Sequence, residues 1–336
     1  MDKINLLDCT LRDGGYITNW EFKDEIIKKM IAGLINVNMD FVEVGYLNQR
    51  PYIPDMAIFN NIEQISDFLP ADRKDASILA MADVMQFKPE NVTPYTGKSI
   101  DGIRVVFYKH QIDLAMDLCK TIKENGYKLF IQPMVTIDYT LDEYAQLAKR
   151  IAEIEPYAVA IVDSFGYMVK QDFRQYFKIL DNIMPPEVVI GFHSHNNMQL
   201  AFITAQDICD YQTIRRLVID ASLYGMGRGA GNLNTELIAN YYNMILGYKY
   251  DISLVMGLIS NYIMPIAQTK NWGYSPYFFL TGFYRCHPNF VSYLLESHEI
   301  SVSGFEKFVK TIPVEMRTKC TKSYVEELYH AFINRK

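Results

Sequence analysis

His193 and His195 are the residues from which a chemistry can first be read. They stand two apart in Gly191-Phe-His-Ser-His-Asn-Asn197, directly after the apolar run Val188-Val-Ile190. Residues two apart on a strand share a face, so both imidazoles can point to one side where a strand ends. Two imidazoles on one face suit a divalent ion. They suit an ordinary pair of hydrogen-bonded histidines equally well, and only the surrounding residue types decide. The chain has six histidines in all, which gives weight to two that stand together.

Three other places supply those residue types. In Asp8-Cys-Thr-Leu-Arg-Asp-Gly-Gly15, Arg12 and Asp13 follow an apolar run and precede a diglycine, whose backbone can turn sharply or approach a ligand. Asp13 there can add the carboxylate of a two-histidine, one-carboxylate metal site. Gly225-Met-Gly-Arg-Gly-Ala-Gly-Asn232 alternates its glycines. It lacks the Lys-Ser/Thr of a phosphate loop and closes a sheet instead of opening one, so no nucleotide cofactor is read from it. Such a loop can carry Asn232, whose amide oxygen is a hard ligand suited to Mg²⁺ or Mn²⁺. Finally, Glu43 lies inside the apolar run Phe41-Val-Glu-Val-Gly45. A carboxylate in that setting is costly unless paired, and Arg12 is an available partner. Nitrogen and oxygen ligands without a thiolate favour Mg²⁺ or Mn²⁺ over Zn²⁺.

These residues need a frame that brings distant segments to one mouth. Eight strand-like runs recur: Ile4–Cys9, Asp40–Val44, Ala76–Met81, Ile103–Phe107, Leu129–Pro133, Ala158–Val162, Val188–Phe192 and Leu217–Ile219. Helix-like stretches lie between them, including Glu25–Leu34, Gln111–Asn125 closed by Gly126, and Leu141–Ile154 opened by a Thr140/Glu143 capping box. The third crossover is the least helical, with prolines in Phe87–Pro94. Alternating strands and helices imply parallel pairing. Eight units in roughly 250 residues fit an α/β fold of the TIM (β/α)8 type, which places its site at the C-terminal ends of the strands. In a closed barrel strand one neighbours strand eight, and strand eight neighbours strand seven. Asp13 and the two histidines can therefore converge.

The 336 residues divide, on this reading, into a barrel over 1–250 and a C-terminal helical region over 251–336 packed on it. The latter holds the aromatic segment Trp272–Tyr293 and two short helices around Ile312-Pro313 within Ser303–Lys336. Apolar residues make up 49% and charged residues 21%, enough for a large core and too little charge for disorder. The balance of 33 basic against 39 acidic residues, a net −6, argues against a nucleic-acid or anionic-membrane surface. No apolar run approaches the ~18–20 residues of a spanning helix, and the first residues show no secretory pattern. Five scattered cysteines without a CxxC pair fit reduced thiols and a cytoplasmic setting.

Taken together and in order, Thr10–Gly14 (TLRDG), Val42–Tyr46 (VEVGY), His193–Asn196 (HSHN) and Gly225–Asn232 (GMGRGAGN) resemble the DRE-TIM metallolyase superfamily, the HMG-CoA lyase-like enzymes. The likeness is strongest to the 4-hydroxy-2-oxovalerate aldolase branch. It implies Asp13, His193 and His195 as metal ligands and Asn232 as a further one. It also implies Arg12 as the residue that stabilises the enolate, Glu43 as the glutamate of the superfamily's name, and Ser164 near the substrate. The aldolases carry a histidine for proton transfer where this chain has Tyr16. That substitution moves the acid–base role to Tyr16, with Tyr277 second and His287 the remaining imidazole of the aromatic segment.

The implied reaction is the metal-dependent, reversible cleavage of a 4-hydroxy-2-oxo acid to pyruvate or a related 2-oxo acid plus an aldehyde. A Claisen-type synthase joining an acyl-CoA to a 2-oxo acid would use the same metal core. The chain ends before the long regulatory domain many isopropylmalate synthases carry, which weighs against that rival. A barrel retired from catalysis and used for binding is the third reading, and an intact ligand set weighs against it. The expected partners are the small substrates, with a homodimer left open. The C-terminal aromatic segment differs from the aldolase domain that docks an acylating aldehyde dehydrogenase, so that partner is not carried over.

Overall fold

The computed structural model describes residues 4–211 and 213–334. Eight strands form a closed parallel ring: β1 (Ile4–Asp8), β2 (Phe41–Leu47), β3 (Ser77–Asp83), β4 (Gly102–Phe107), β5 (Lys128–Pro133), β6 (Ala158–Asp163), β7 (Val189–Ser194) and β8 (Leu217–Ala221). Each pairs with its neighbour in parallel, and β1 pairs with both β2 and β8, so the barrel has no free edge. This is a TIM barrel. Several strands run further toward the mouth than their apolar stretches indicate. β3 ends at Asp83, β7 at His193-Ser194 and β8 at Asp220-Ala221, because polar residues that line the mouth still make ladder hydrogen bonds.

Six helices wrap the ring: α1 (Asp24–Asn36), α2 (Ile112–Glu124), α3 (Leu141–Ile154), α4 (Lys170–Ile183), α5 (Ala201–Cys209) and α6 (Thr235–Leu246). The capping box opens α3 as the sequence indicates. The Thr140 Oγ1 accepts the Glu143 N–H at 3.2 Å, and the Glu143 carboxylate accepts the Thr140 N–H at 2.8 Å. The crossovers after β2 and β3 hold 3₁₀ turns in place of an α-helix, Ile62–Phe68 and Pro89–Asn91. In the second of these, Pro89 and Pro94 each lack the N–H an α-helix would use.

Inside the ring, alternation stacks the inward side chains in layers. An apolar floor of Leu7, Phe41, Leu79, Phe130, Val189 and Val218 fills the N-terminal end. Further along the strands the floor gives way to Glu43, Arg104, His193 and Asp220, all buried. One irregularity matters at this level. The register of β2 against β3 shifts between Glu43 and Tyr46, where Gly45 sits at φ 149° with the Ala57 carbonyl against its Cα. The bulge changes the parity of the strand, so Glu43 and Tyr46 both face inward although strict alternation would separate them.

Helices beyond the barrel form a C-terminal appendage: α7 (Ile252–Leu258), α8 (Pro276–Phe283), α9 (Asn289–Ser297), α10 (Val302–Thr311) and α11 (Lys322–Ile333). The last four share a second core of Cys286, Phe290, Val291, Leu294, Phe305, Phe308, Val309, Ile312 and Val325. It docks beside the mouth. Asn197, just past β7, donates to Thr281 Oγ1 at 2.9 Å, and His287 packs its edge on Phe165. Among the described residues no helix is long and apolar enough to cross a membrane.

Candidate active site and metal centre

β1 ends in a single helical turn, Thr10–Asp13, which carries Arg12 and Asp13 over the barrel interior. His193 is on β7 and His195 one residue past its end. Ligand atoms of Asp13, His193 and His195 all lie within 4.8 Å of one another, and all three side chains are buried. Burial opposes ionisation of Asp13, but the Arg12 guanidinium beside it holds its carboxyl well below the usual carboxylate range. Burial pulls His195 down to about 3, against the attraction of Asp13, so its ring is neutral.

The trio fits a divalent cation on the chemistry of its own atoms. His193 Nδ1 lies 2.9 Å from Asp220 Oδ2. Asp220 is buried, yet Arg104 and His193 hold its carboxyl low, so it accepts and His193 Nδ1 carries the hydrogen. Nε2 is then the nitrogen of His193 that an ion could take. His195 Nδ1 and Asn232 Oδ1 are buried polar atoms without a hydrogen-bond partner, and such atoms in a native interior call for an explanation. Asn232 does reach the cluster, but with its amide nitrogen. Nδ2 donates to Asp13 Oδ2 at 2.6 Å, which leaves the orphaned Oδ1 as the atom available to an ion. The glycine loop that carries Asn232 passes so close that a Cβ on Gly227 would meet Asn232 Nδ2 and come within 2.7 Å of Asp13 Oδ2.

Behind this cluster runs a line of alternating buried charges. Asp13 pairs with Arg12. The Nε of Arg12 donates to Glu43 Oε2 at 2.8 Å, and Arg104 Nη1 donates to the same oxygen at 2.9 Å. Arg104 also pairs with Asp220, which holds His193. The Glu43–Arg12 pair is the one expected from the sequence. Arg104 and Asp220 carry the same signal that marks Glu43, a charge inside an apolar run (Gly102-Ile-Arg-Val-Val-Phe107 and Leu217-Val-Ile-Asp-Ala221). Tyr46 leaves no such trace, because only the bulge turns it inward.

The cluster opens into a cavity of about 100 Å³ at the C-terminal mouth of the barrel. Its walls include Tyr16, Tyr46, Asp83, Tyr108, Gln132, Ser164 and Arg228 besides the cluster itself. The Tyr16 hydroxyl lies 3.0 Å from that of Tyr46, and the Arg228 guanidinium sits 5.3 Å over the Tyr16 ring. Ser164 Oγ accepts the Val135 N–H at 2.8 Å, which leaves its own hydrogen for the mouth. Asp163 beside it anchors the loop after β6, accepting the N–H groups of Tyr167 and Met168, and burial pushes its carboxyl up to about 7.

Two expected residues stand elsewhere. Tyr277 is turned into the appendage core. Its hydroxyl donates to the Ile300 carbonyl at 2.6 Å and its ring packs on Phe305, so it does not reach the mouth. His287 is buried behind Phe165, with Nδ1 accepting the Asn289 N–H at 3.1 Å. Burial holds it well below the usual imidazole range.

A family model described as HMGL-like matches residues 3–254. An oxaloacetate decarboxylase of Mycobacterium tuberculosis (strain ATCC 25618 / H37Rv) is 24% identical over 234 residues, covering 69% of this chain and 68% of that protein. A 4-hydroxy-2-oxovalerate aldolase of Geobacillus genomosp. 3 is 26% identical over 270 residues, covering 79% and 78%. Among solved structures, the N-terminal domain of a candidate aldolase from Bacteroides vulgatus superposes with a TM-score of 0.73 at 28% identity, covering 87% of this chain and 98% of that one.

Proposed function

This chain belongs to the HMGL-like family of carbon–carbon lyases, and from that premise we propose a divalent-metal-dependent aldolase. It reversibly cleaves a 4-hydroxy-2-oxo acid to pyruvate or a related 2-oxo acid plus an aldehyde. The observation that carries the reading is the convergence of Asp13, His193 and His195 in a buried cluster beside Arg12. Asp13, His193 and His195 hold the ion, Mg²⁺ or Mn²⁺, with Asn232 Oδ1 as a further ligand. When bound, the ion supplies Lewis acidity for a chelating 2-oxo acid.

The chain's own residues do the rest. Arg12, held by Glu43, places fixed positive charge beside the C2 oxygen as negative charge develops there. The C3–C4 bond breaks, its electron pair moves into the enolate of the departing 2-oxo acid, and C4 becomes the aldehyde carbon. Tyr16 takes the proton that leaves the C4 hydroxyl as its own phenolic hydrogen passes to the Tyr46 hydroxyl 3.0 Å away, whose hydrogen goes in turn to C3 of the enolate, so both tyrosines end protonated as they began. The proton at C3 completes the 2-oxo acid. The Ser164 hydroxyl orients the substrate. Residues 1–250 carry this machinery, and 251–336 pack beside its mouth. Five free cysteines support a reducing, cytoplasmic setting.

The test is pyruvate release from a panel of 4-hydroxy-2-oxo acids by Mn²⁺-loaded protein, beside CO₂ release from oxaloacetate and condensation of acetyl-CoA with 2-oxo acids. Pyruvate plus an aldehyde in equal amounts, abolished by a chelator, is the expected result. Turnover confined to acetyl-CoA condensation would replace the aldolase by the synthase. No turnover with any of them would leave a binding barrel.

A further inference from the structure

Arg228 is a cation at the mouth with no carboxylate at ion-pair distance among the described residues, although its charge helps to hold the Asp13 carboxyl low. Arg12 is shared by Asp13 and Glu43, and Arg104 by Glu43 and Asp220. Arg228 has no ion-pair partner among the described residues. Its one polar contact is a long one, Nη2 at 3.5 Å from the Ser164 carbonyl, and its Nε is buried with no partner at all. A cation–π contact with the Tyr16 ring fixes where the charge sits. The Nε–Nη edge is the side that grips a carboxylate through two parallel hydrogen bonds. Asp83, the remaining carboxyl of the mouth, is turned to its own loop, where it accepts the Met85 N–H at 2.8 Å.

The open Nε–Nη edge is matched by a carboxylate beyond the one every 2-oxo acid carries at C1. Position says which end carries the second group. Arg228 lies over Tyr16, the residue assigned to the C4 hydroxyl, so whatever reaches it is attached at C4 or beyond. The cavity of about 100 Å³ favours a short acid, since pockets for drug-sized ligands run to roughly 300–1,000 Å³.

We propose that Arg228 is the receptor for a second carboxylate, and that the substrate is a short dicarboxylic 4-hydroxy-2-oxo acid whose far carboxylate belongs to the aldehyde half. The assignment of ends rests on the aldolase reading, while the preference for a dicarboxylate does not. Two measurements on Mn²⁺-loaded wild type, Arg228→Gln and Arg228→Lys therefore separate the two claims. The first is calorimetric binding of two 2-oxo acids that have no C4 hydroxyl, 2-oxobutyrate and 2-oxoglutarate. Wild type is expected to bind the dicarboxylate at least tenfold more tightly. Arg228→Gln is expected to lose roughly 10–100-fold on the dicarboxylate, the worth of a charge-assisted pair, with a much smaller loss on the monocarboxylate. Arg228→Lys, which keeps the charge without the fork, falls between. The second measurement is kcat/KM for 4-hydroxy-2-oxopentanoate against 4-hydroxy-2-oxoglutarate, whose cleavage gives pyruvate plus acetaldehyde or glyoxylate. An Arg228-dependent preference for the dicarboxylate is expected in both assays. If the binding preference holds but neither hydroxy acid is cleaved, Arg228 keeps its role and the aldolase reading falls. Equal binding of the two acids by wild type, or equal losses on both in Arg228→Gln, would overturn the proposal.

Discussion

Asp220→Asn changes one atom of a side chain that touches no substrate, yet the geometry ties it to metal binding. Asp220 Oδ2 accepts hydrogen bonds from two donors, Arg104 Nη2 and His193 Nδ1, while Oδ1 is buried without a partner. An asparagine of the same shape sets its amide oxygen at the Oδ2 position, where it accepts from both donors as before, and its NH₂ at the Oδ1 position. What it loses is the negative charge that answers Arg104 and polarises the Nδ1–H of His193. The other nitrogen of that ring, Nε2, is the proposed metal ligand, and a less basic imidazole holds an ion less tightly. Replacing outer partners of ligating histidines typically costs 10–100-fold in metal affinity, and with both hydrogen bonds kept this variant is expected at the lower end of that range. The variant keeps volume and both hydrogen bonds but leaves Arg104 with less compensating charge, so a stability loss of about 1–3 kcal/mol is expected, below the ~3–5 kcal/mol of removing one partner of a buried pair outright. Mn²⁺ affinity by competition with a chelator and unfolding in urea measure the two effects separately. His193→Ala sets the largest loss this ligand can produce. If Asp220→Asn folds and binds Mn²⁺ within twofold of wild type, the Asp220 charge does not set the basicity of His193 and the reasoning is wrong.

Arg12→Lys is expected to hold Mn²⁺ nearly as wild type but to lose roughly 10²–10³ in turnover, because an ammonium cannot bridge Asp13 and Glu43 while facing an oxyanion. Unchanged turnover with chemistry rate-limiting would refute its role. Tyr16→Phe removes only the hydroxyl, and turnover is expected to fall ~10²–10⁴-fold with metal affinity kept. A rate that barely moves would make Tyr16 a wall of the pocket. Gly227→Ala pushes a methyl onto Asp13 and Asn232, so loss of Mn²⁺ affinity is expected beyond any loss of stability, and a wild-type titration would contradict the contact. Asp163 titrates near 7 when folded against ~3.9 when unfolded. The folded state thus binds the proton more tightly, and this group adds stability as pH falls from about 8 toward 4. The stability difference between wild type and Asp163→Asn is expected to shift toward wild type by up to ~1.4 kcal/mol per pH unit below pH 7. A difference independent of pH would place the titration elsewhere.

The barrel was readable because its strands are buried on both faces and so appear as apolar runs, with helices of regular period between most of them. The runs stopped short where the site begins. His193, Asp220 and Asp83 belong to strands by their ladder hydrogen bonds, and polarity hid them from a hydropathy criterion. The convergence of Asp13, His193 and His195 was readable for the opposite reason, since paired polar residues at strand ends stand out. Tyr46 was not, because the bulge at Gly45 reverses the face on which it lies. Arg104 and Asp220 carried a signal as plain as that of Glu43, but their partners lie 61 and 116 positions apart in the chain, so pairing them required the closed ring. Tyr277 shows the limit of position by analogy. An aromatic segment can place a tyrosine on either side of a helix, and here the side chain completes the appendage core.

The charged line from Asp13 to His193 is a poor device for stability. Glu43 Oε1, Asp220 Oδ1 and Arg104 Nε are buried without partners, and apolar residues of similar volume commonly replace buried ion pairs at no loss or with a gain. What the line does provide is position. Its links come from the turn after β1 and from β2, β4, β8 and β7 in succession, so one set of hydrogen bonds crosses the barrel interior and ends on a proposed metal ligand at each side. Alternating signs make each link dependent on its neighbours, since Glu43 cannot move without taking one of two carboxylate partners from both Arg12 and Arg104. The apolar floor beneath and the helices around supply stability that this layer does not. Arg228 stands outside the line, on a loop and with no ion-pair partner among the described residues, and on the reading above its guanidinium answers charge that arrives with a substrate.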